Sequence, residues 1–292
     1  MRASPQYHSC CSIKMVSLVK VLCAVVLVSC PSHVFASDIN MKNHTEKAIQ
    51  KAFTTSLQLE TSNYSHSGRI FNGKNANIAS YRYVVCLLEN KSCECGASVI
   101  TYYHALTAAH CVYPNPNISK FALYGGSASL SKGGIVFYLS KIVIHPLYNP
   151  KTNYYDVAIL QVKKSLEGYK NIARIPLQDA EVPSNTLCYV AGWGYNLKTN
   201  PDNLQYATQL TVSQQQCSAA WPGSIMSANI CTKQGTDGDL CNGDSGGPLV
   251  CKGKLTGVIS FGGIPCDSSP PTVFAKVSAP TIRSFIKTYA GI

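Results

Sequence analysis

Three stretches of the sequence place a hydroxyl, an imidazole and a carboxylate in settings suited to nucleophilic chemistry. The first is Gly243-Asp244-Ser245-Gly246-Gly247-Pro248, a serine framed by glycines and preceded by an acid. A serine that attacks a carbonyl must stand on a tight turn, with nearby amide N–H groups free to receive the oxyanion of a tetrahedral intermediate. Gly243 and Ser245 are the candidate donors. Because a serine hydroxyl is protonated at neutral pH, attack on an amide also needs a base within hydrogen-bond reach. His110, in Leu106-Thr107-Ala108-Ala109-His110-Cys111, sits among small residues beside a cysteine suited to anchoring the segment. His145, in Ile144-His145-Pro146, is its rival, but a histidine before proline at a strand end suits a structural role, and His110 is preferred. The third group is Asp156, which opens Asp156-Val157-Ala158-Ile159-Leu160. An acid leading straight into an apolar strand is costly to bury alone, so it is either paired there, orienting the imidazole, or a strand cap.

The elements that must position these groups read as β-structure. Of the 292 residues 46% are apolar and only 13% charged, with 21 Gly, 15 Pro and 17 Tyr, a composition that favours short strands and turns over long solvated helices. Apolar runs punctuated by turn residues fall at 83–88, 97–100, 121–124, 135–144 and 157–162, then again at 187–191, 207–212, 248–251, 255–261 and 272–277. Two β-rich halves emerge, with a boundary near 177–183. One helix closes the chain, with Ser278 as N-cap and Ile282, Phe285, Ile286 and Tyr289 along one face, expected to pack on the second half. No fixed-period repeat is present, which excludes propellers and solenoids.

The net charge of +11 comes from scattered single cations, with Lys163 and Lys164 the only adjacent pair from Ile70 onward, so no basic stripe marks a nucleic-acid surface. Fourteen cysteines without a zinc-like spacing point to disulfides in an oxidising compartment rather than to a metal. Residues 21–28 form an apolar run too short to span a membrane, and small residues at Val34 and Ala36 suit cleavage after Ala36. Residues 1–36 therefore read as a signal peptide, with Met15 as an alternative start, and the polar, cysteine-free 37–69 as a propeptide. Asn43, Asn63, Asn90 and Asn117 head N-x-Ser/Thr sequons, each a glycan site on a secreted route.

In their order and spacing, Ala108-Ala109-His110-Cys111, Asp156-Val157-Ala158-Ile159-Leu160 and Gly243-Asp244-Ser245-Gly246-Gly247-Pro248 resemble the trypsin-like serine proteases from Ile70 to the C-terminus. The resemblance implies an all-β fold of two packed six-stranded antiparallel β-barrels with a C-terminal helix. The barrels would span 70–180 and 181–292, with the catalytic groups in the cleft between them. It implies His110 as base then acid, Asp156 as its orienter, Ser245 as nucleophile, and Gly243 and Ser245 as oxyanion donors. Arg69-Ile70-Phe71-Asn72-Gly73 resembles an activation site, though Phe71 and Asn72 depart from the family's Val-Gly; cleavage would free Ile70 to pair with Asp244.

The same resemblance implies disulfides Cys95–Cys111, Cys188–Cys251, Cys217–Cys231 and Cys241–Cys266. Cys86 and Cys93 remain, and a bridge across a hairpin tip is a further expectation. Asp239 takes the place at the base of the specificity pocket and implies cleavage after Arg or Lys. Gly262 leaves the pocket mouth open, and Ser260, Phe261 and Gly262 would pair with the substrate backbone. Leu240 and Thr272 add bulk where trypsin has a small hydroxyl residue and a glycine, which leaves a chymotrypsin-like or elastase-like preference, or a catalytically weak homologue that acts by binding, as alternatives. The loop 125–134 contains no Asp or Glu, so calcium is not expected there. The whole reads as a secreted, monomeric endopeptidase zymogen without cofactor. Its partners would be protein or peptide substrates, an activating protease and protein inhibitors, with no nucleic acid or membrane.

Overall fold

The structure is a computed structural model and describes residues 73–194, 202–236, 244–263 and 269–292. The expected signal peptide (1–36), propeptide (37–69) and activation residues Arg69 and Ile70 lie outside the described residues, as do Asp239, Leu240, Cys241, Gly243 and Cys266.

A short strand β1 (Lys74–Asn75) precedes β2 (Val84–Glu89), β3 (Ser92–Thr101), β4 (His104–Thr107), β5 (Phe121–Gly125), β6 (Ile135–Ile144) and β7 (Ala158–Val162). Strands β2 to β7 close into an antiparallel barrel in the order β2-β3-β4-β7-β6-β5. Period-two alternation explains which side chains face inward: in β6, Phe137 and Leu139 are buried while Val136, Tyr138 and Ser140 face water. The inward set, with Val85, Leu87, Val99, Leu123 and Leu160, fills the barrel. Closure removes the free strand edges that would otherwise invite aggregation.

The second half contains β8 (Leu187–Gly192), β9 (Gln205–Val212), β10 (Asn229–Gln234), β11 (Pro248–Cys251), β12 (Lys254–Phe261) and β13 (Thr272–Lys276). Their order is β9-β10-β13-β12-β11-β8, and the β9–β8 pairing closes the second six-stranded barrel. Its core holds Val190, Ile230, Leu249, Ile259 and Phe274 around the Cys188–Cys251 disulfide, which joins directly opposed residues of β8 and β11. That bridge closes a loop of sequence separation 63, worth about 4 kcal/mol through the entropy of the unfolded chain. The first strand, β1, joins this barrel rather than the first, pairing Lys74 with Tyr206 and Asn75 with Gln205.

Two helices complete the fold. The first, α1 (Gln214–Ala220), starts at a capping box in which Ser213 and Gln216 bond each other's backbone N–H, and Cys217–Cys231 ties it to β10. The second, α2 (Pro280–Ala290), begins one residue later than expected: Ala279 is the N-cap and Ser278 is not, because Pro280 presets the helical φ of the first position. Nor does α2 pack on the second half alone. Ile282, Phe285 and Ile286 enter a cluster with Leu106, Val157 and Ile159 of the first barrel and Val250, Val258 and Ala275 of the second, so the helix closes the seam between them.

His145 belongs to this seam. Its ring is 3% exposed, stacks on Tyr155 at 5.0 Å and meets Phe285 at 4.8 Å, while its Nδ1 accepts from Leu147 N. Burial holds its pKa below the ordinary imidazole value, partly opposed by a hydrogen bond to the Thr281 backbone. The folded state therefore binds fewer protons here than the unfolded chain. Its contribution to stability is full above the unfolded pKa, about 6.5, and is lost as pH falls through the folded one. His145→Asn retains an acceptor and cannot titrate. In calorimetry it should show a smaller fall in Tm than the native chain between about pH 7 and about pH 5, and equal falls would assign the pH dependence elsewhere.

Candidate active site

Asp156 is fully buried at the mouth of β7, and three donors converge on its carboxylate. His110 Nδ1 lies 2.7 Å from Oδ2, His110 N donates to Oδ1 at 2.9 Å, and Ser260 Oγ donates to Oδ2 at 2.6 Å. A carboxylate only accepts, so the imidazole proton sits on Nδ1 and Nε2 is left basic. Of the alternatives open for Asp156, the geometry is that of the paired carboxylate, buried against the imidazole, and not of a lone strand cap. The phenol of Tyr148 is pushed up to about 12 by burial first, then by the Asp156 and Tyr113 charges, so it stays neutral beside this pair.

His110 is held in position by its own segment. It lies in a one-turn 3-10 helix, Ala109–Cys111, that follows β4, and Cys111 is bonded to Cys95 of β3. The sulfurs of Cys95 and Cys111 and the imidazole lie within 4.8 Å of one another, but sulfurs committed to a disulfide do not serve as thiolate ligands.

The serine turn is built against the same two strands. Ser245 is half-buried, and its carbonyl accepts from Gly96 N at 2.8 Å. Gly246 N donates to Ile259 O at 2.8 Å and Gly247 N to Asp244 O at 2.9 Å, which closes the turn. Gly246 has φ +77°, and a Cβ there would collide with Thr107 Oγ1 and stand 2.5 Å from Gly96 O and 3.1 Å from Ala108 N. The backbone beside Ser245 is therefore in contact with the residues that lead into His110. On its other flank, Ile259 is followed by Ser260, whose hydroxyl holds Asp156. Serine turn, imidazole and carboxylate are knitted together through the barrel ends.

Asp244 is buried, and its Oδ1 accepts from Gly194 N at 3.0 Å. A Cβ on Gly192 would stand 2.5 Å from the same oxygen. Gly192 pairs with Gln205, and Gln205 pairs with Asn75 of β1, so β1 lies two strands across the sheet from the glycine that abuts Asp244.

Of the residues expected to line a specificity pocket, Thr272 is buried and Gly262 exposed, and a Cβ on Gly262 would lie 3.3 Å from Thr272 Oγ1. A register shift between Ile259 and Phe261 leaves Ser260 without a partner in β13, and Phe261 pairs again with Val273. Phe261 meets Trp221 edge-on at 5.3 Å, and Trp221 Nε1 donates to Pro271 O at 2.7 Å. Tyr154 OH donates to Gly223 O at 3.0 Å, a bond between the segment before Asp156 and the loop after Trp221. The sequence reading named neither Trp221 nor Tyr154, and it assigned Ser260 only to the substrate-pairing strand. The disulfides Cys86–Cys93, Cys95–Cys111, Cys188–Cys251 and Cys217–Cys231 are all formed.

A buried Asp–His pair beside a glycine-framed serine, on two antiparallel barrels, defines the serine endopeptidases of the two-barrel class. The Trypsin family model matches residues 70–286, and the chain belongs to that family. It is 35% identical to Trypsin delta of Drosophila melanogaster over 225 residues, which is 75% of this chain and 87% of that protein. With Trypsin alpha of the same fly it shares 33% over 230 residues, 77% of this chain and 88% of the other. Neuropsin, a serine protease expressed in the limbic system of mouse brain, superimposes with a TM-score of 0.68 at 27% identity over 75% of this chain and 98% of its own.

Proposed function

We propose that this serine endopeptidase is secreted as a zymogen, is activated by cleavage after Arg69, and hydrolyses peptide bonds through an acyl-enzyme on Ser245. The observation that carries the reading is the Asp156–His110 pair, with its second support from Ser260, beside the serine turn. As Ser245 Oγ bonds to the scissile carbonyl carbon, its proton passes to His110 Nε2, and Asp156 stabilises the imidazolium. The carbonyl oxygen becomes an oxyanion that the N–H groups of Gly243 and Ser245 would receive. The proton then leaves with the amine; water gives a proton to the same nitrogen as it attacks the acyl-enzyme, and that proton returns to Ser245 Oγ as the ester bond breaks and the acid is released. Activation is supported by the short path from Ile70 to β1 and by the burial of Asp244, where a new ammonium would pair. Secretion is supported by the leader-like run of residues 21–28 and by four disulfides among the described residues. Among those residues no helix is long and apolar enough to cross a membrane. An activating protease and protein inhibitors are the partners this mechanism calls for.

Asp239 favours substrates with Arg or Lys. The buried Thr272 favours a second reading, because its side chain stands against the Gly262 wall and narrows the pocket toward smaller or apolar residues. Activated protein is to be profiled on a peptide library after active-site titration with a fluorophosphonate. The expected result is a stoichiometric adduct on Ser245, cleavage after Arg and Lys, and a gain of about tenfold in kcat/KM on such substrates for Thr272→Gly. Cleavage after small apolar residues that is indifferent to Asp239→Ser would reject the basic preference, and absence of the adduct would leave a protein that acts by binding.

A further inference from the structure

Both sequons among the described residues stand on one face of the first barrel. Asn90-Lys91-Ser92 is the exposed tip of the β2–β3 hairpin, where Asn90 and Lys91 take φ +49° and +73°. Asn117-Ile118-Ser119 lies in the loop before β5, and Asn90 N donates to Lys120 O at 2.8 Å, holding the two segments together. Beside them runs a groove of about 990 Å³, with Asn90, Ser92 and Ser119 in its walls and Phe121, Val136 and Tyr138 among its apolar lining. None of its lining residues belongs to the site above.

The groove leaves apolar surface open to water: Val136 is 43% and Tyr138 67% exposed. Burying such surface is favourable. Its volume is at the upper end of the ~300–1,000 Å³ of pockets that hold organic ligands, and polar groups of Lys91, Lys120 and Asp202 stand among the apolar ones. A chain of sugars matches this mixture, since a pyranose presents a C–H face to an aromatic ring and hydroxyls to charged neighbours. The attachment point is in the groove itself. The Asn90 carboxamide has no hydrogen-bond partner among the described residues, whereas Asn117 Oδ1 already accepts from Ser119 N and Oγ.

We propose that Asn90 is an N-glycosylation site whose first sugars lie in this groove and cover Val136 and Tyr138. The inference rests on the secretory reading, because the donor, a lipid-pyrophosphate-linked oligosaccharide, belongs to that compartment. Asn90 Nδ2 bonds to the anomeric carbon and gives up a proton, the bond from that carbon to the pyrophosphate oxygen breaks, and the lipid pyrophosphate leaves without redox change.

The full chain is to be produced with its own leader in cultured eukaryotic cells, and half the product treated with peptide-N-glycosidase in heavy-oxygen water. The expected peptide map shows Asn90 converted to heavy-oxygen-labelled Asp. Hydroxyl-radical footprinting is expected to label Tyr138 several-fold less before release than after. Ser92→Ala, which removes the sequon but not the Asn90 side chain, should label Tyr138 as the released protein does, with unchanged peptidase activity. Secreted protein with Asn90 bare overturns the inference alone, as does a modified Asn90 with equal Tyr138 labelling before and after release. Protein found only inside the cell with every sequon bare overturns it together with the secretory reading.

Discussion

Ser245→Ala and His110→Ala are each expected to lower kcat/KM on a peptide amide substrate by roughly four to six powers of ten. The double variant should be no worse than either single one. The reason is cooperative: the hydroxyl is a poor nucleophile without a base, and the base has no proton to accept without the hydroxyl, so removing one disables the other. Asp156→Asn should cost about four powers of ten while leaving the fold intact. An amide at that position can donate to the imidazole, which would place the proton on Nε2 and leave nothing basic to face the serine. Ser260→Ala should be much milder, because His110 retains its contacts through both Nδ1 and its backbone N–H. Steady-state kinetics on activated protein, with circular dichroism as a check of folding, decides these cases. Losses that multiply in the double variant would show independent roles and end the proposed relay.

The sequence makes these three residues legible because each demands particular neighbours. A nucleophilic serine needs glycines on its turn, a base needs small residues around it, and a buried acid announces itself by leading an apolar strand. Ser260 was visible as a residue but not as a support of Asp156, since the hydrogen bond joins positions 104 apart in the chain. Asp202 was hidden for the same reason. The loop 125–134 has no acid of its own, yet the Asp202 carboxylate enters it from the second half, accepting from Ser129 Oγ at 2.7 Å and from Ser131 N at 2.7 Å. The hydroxyls of Ser129 and Ser131 hold that carboxyl below the usual carboxylate range.

Elements were legible where burial follows a simple period and obscure where it does not. Strand β6 alternates cleanly, and α2 repeats its apolar face at helical spacing. Strand β10 is absent from the apolar runs of the sequence because it carries Asn229, Thr232, Lys233 and Gln234. In the barrel Thr232 is buried, and its Oγ1 donates to Gln209 Oε1 at 2.6 Å, so a polar pair is tolerated because each satisfies the other. Strand β4 escaped notice because its four residues were absorbed into the setting of His110. The capping box at Ser213 and Gln216 was a signal in plain view for α1, but a helix of seven residues offers too little periodicity to support it.

Gly246→Ala is expected to abolish activity and to destabilise the protein severely, and Gly253→Ala separates the two causes. Both glycines have left-handed backbone, φ +77° at Gly246 and +73° at Gly253, so an alanine at either position carries a similar conformational cost of roughly 1–2 kcal/mol. Their surroundings differ. A Cβ on Gly253, in the β11–β12 turn, meets nothing within 4 Å, whereas one on Gly246 runs into Thr107 Oγ1 and the Gly96 carbonyl. Thr107 Oγ1 cannot simply swing away, because it donates to Gly96 O at 2.7 Å inside a fully buried site. Relief requires the serine turn to retreat from β3 and β4, and that movement breaks the Gly96 N to Ser245 O bond and carries Ser245 away from His110. Denaturant unfolding should therefore show a cost for Gly246→Ala exceeding that of Gly253→Ala by several kcal/mol, roughly the upper range of buried steric changes. Peptidase activity should survive only in Gly253→Ala. Equal costs in the two variants would mean that backbone conformation alone selects glycine at 246, and that the serine turn is not wedged against the strand leading to the imidazole.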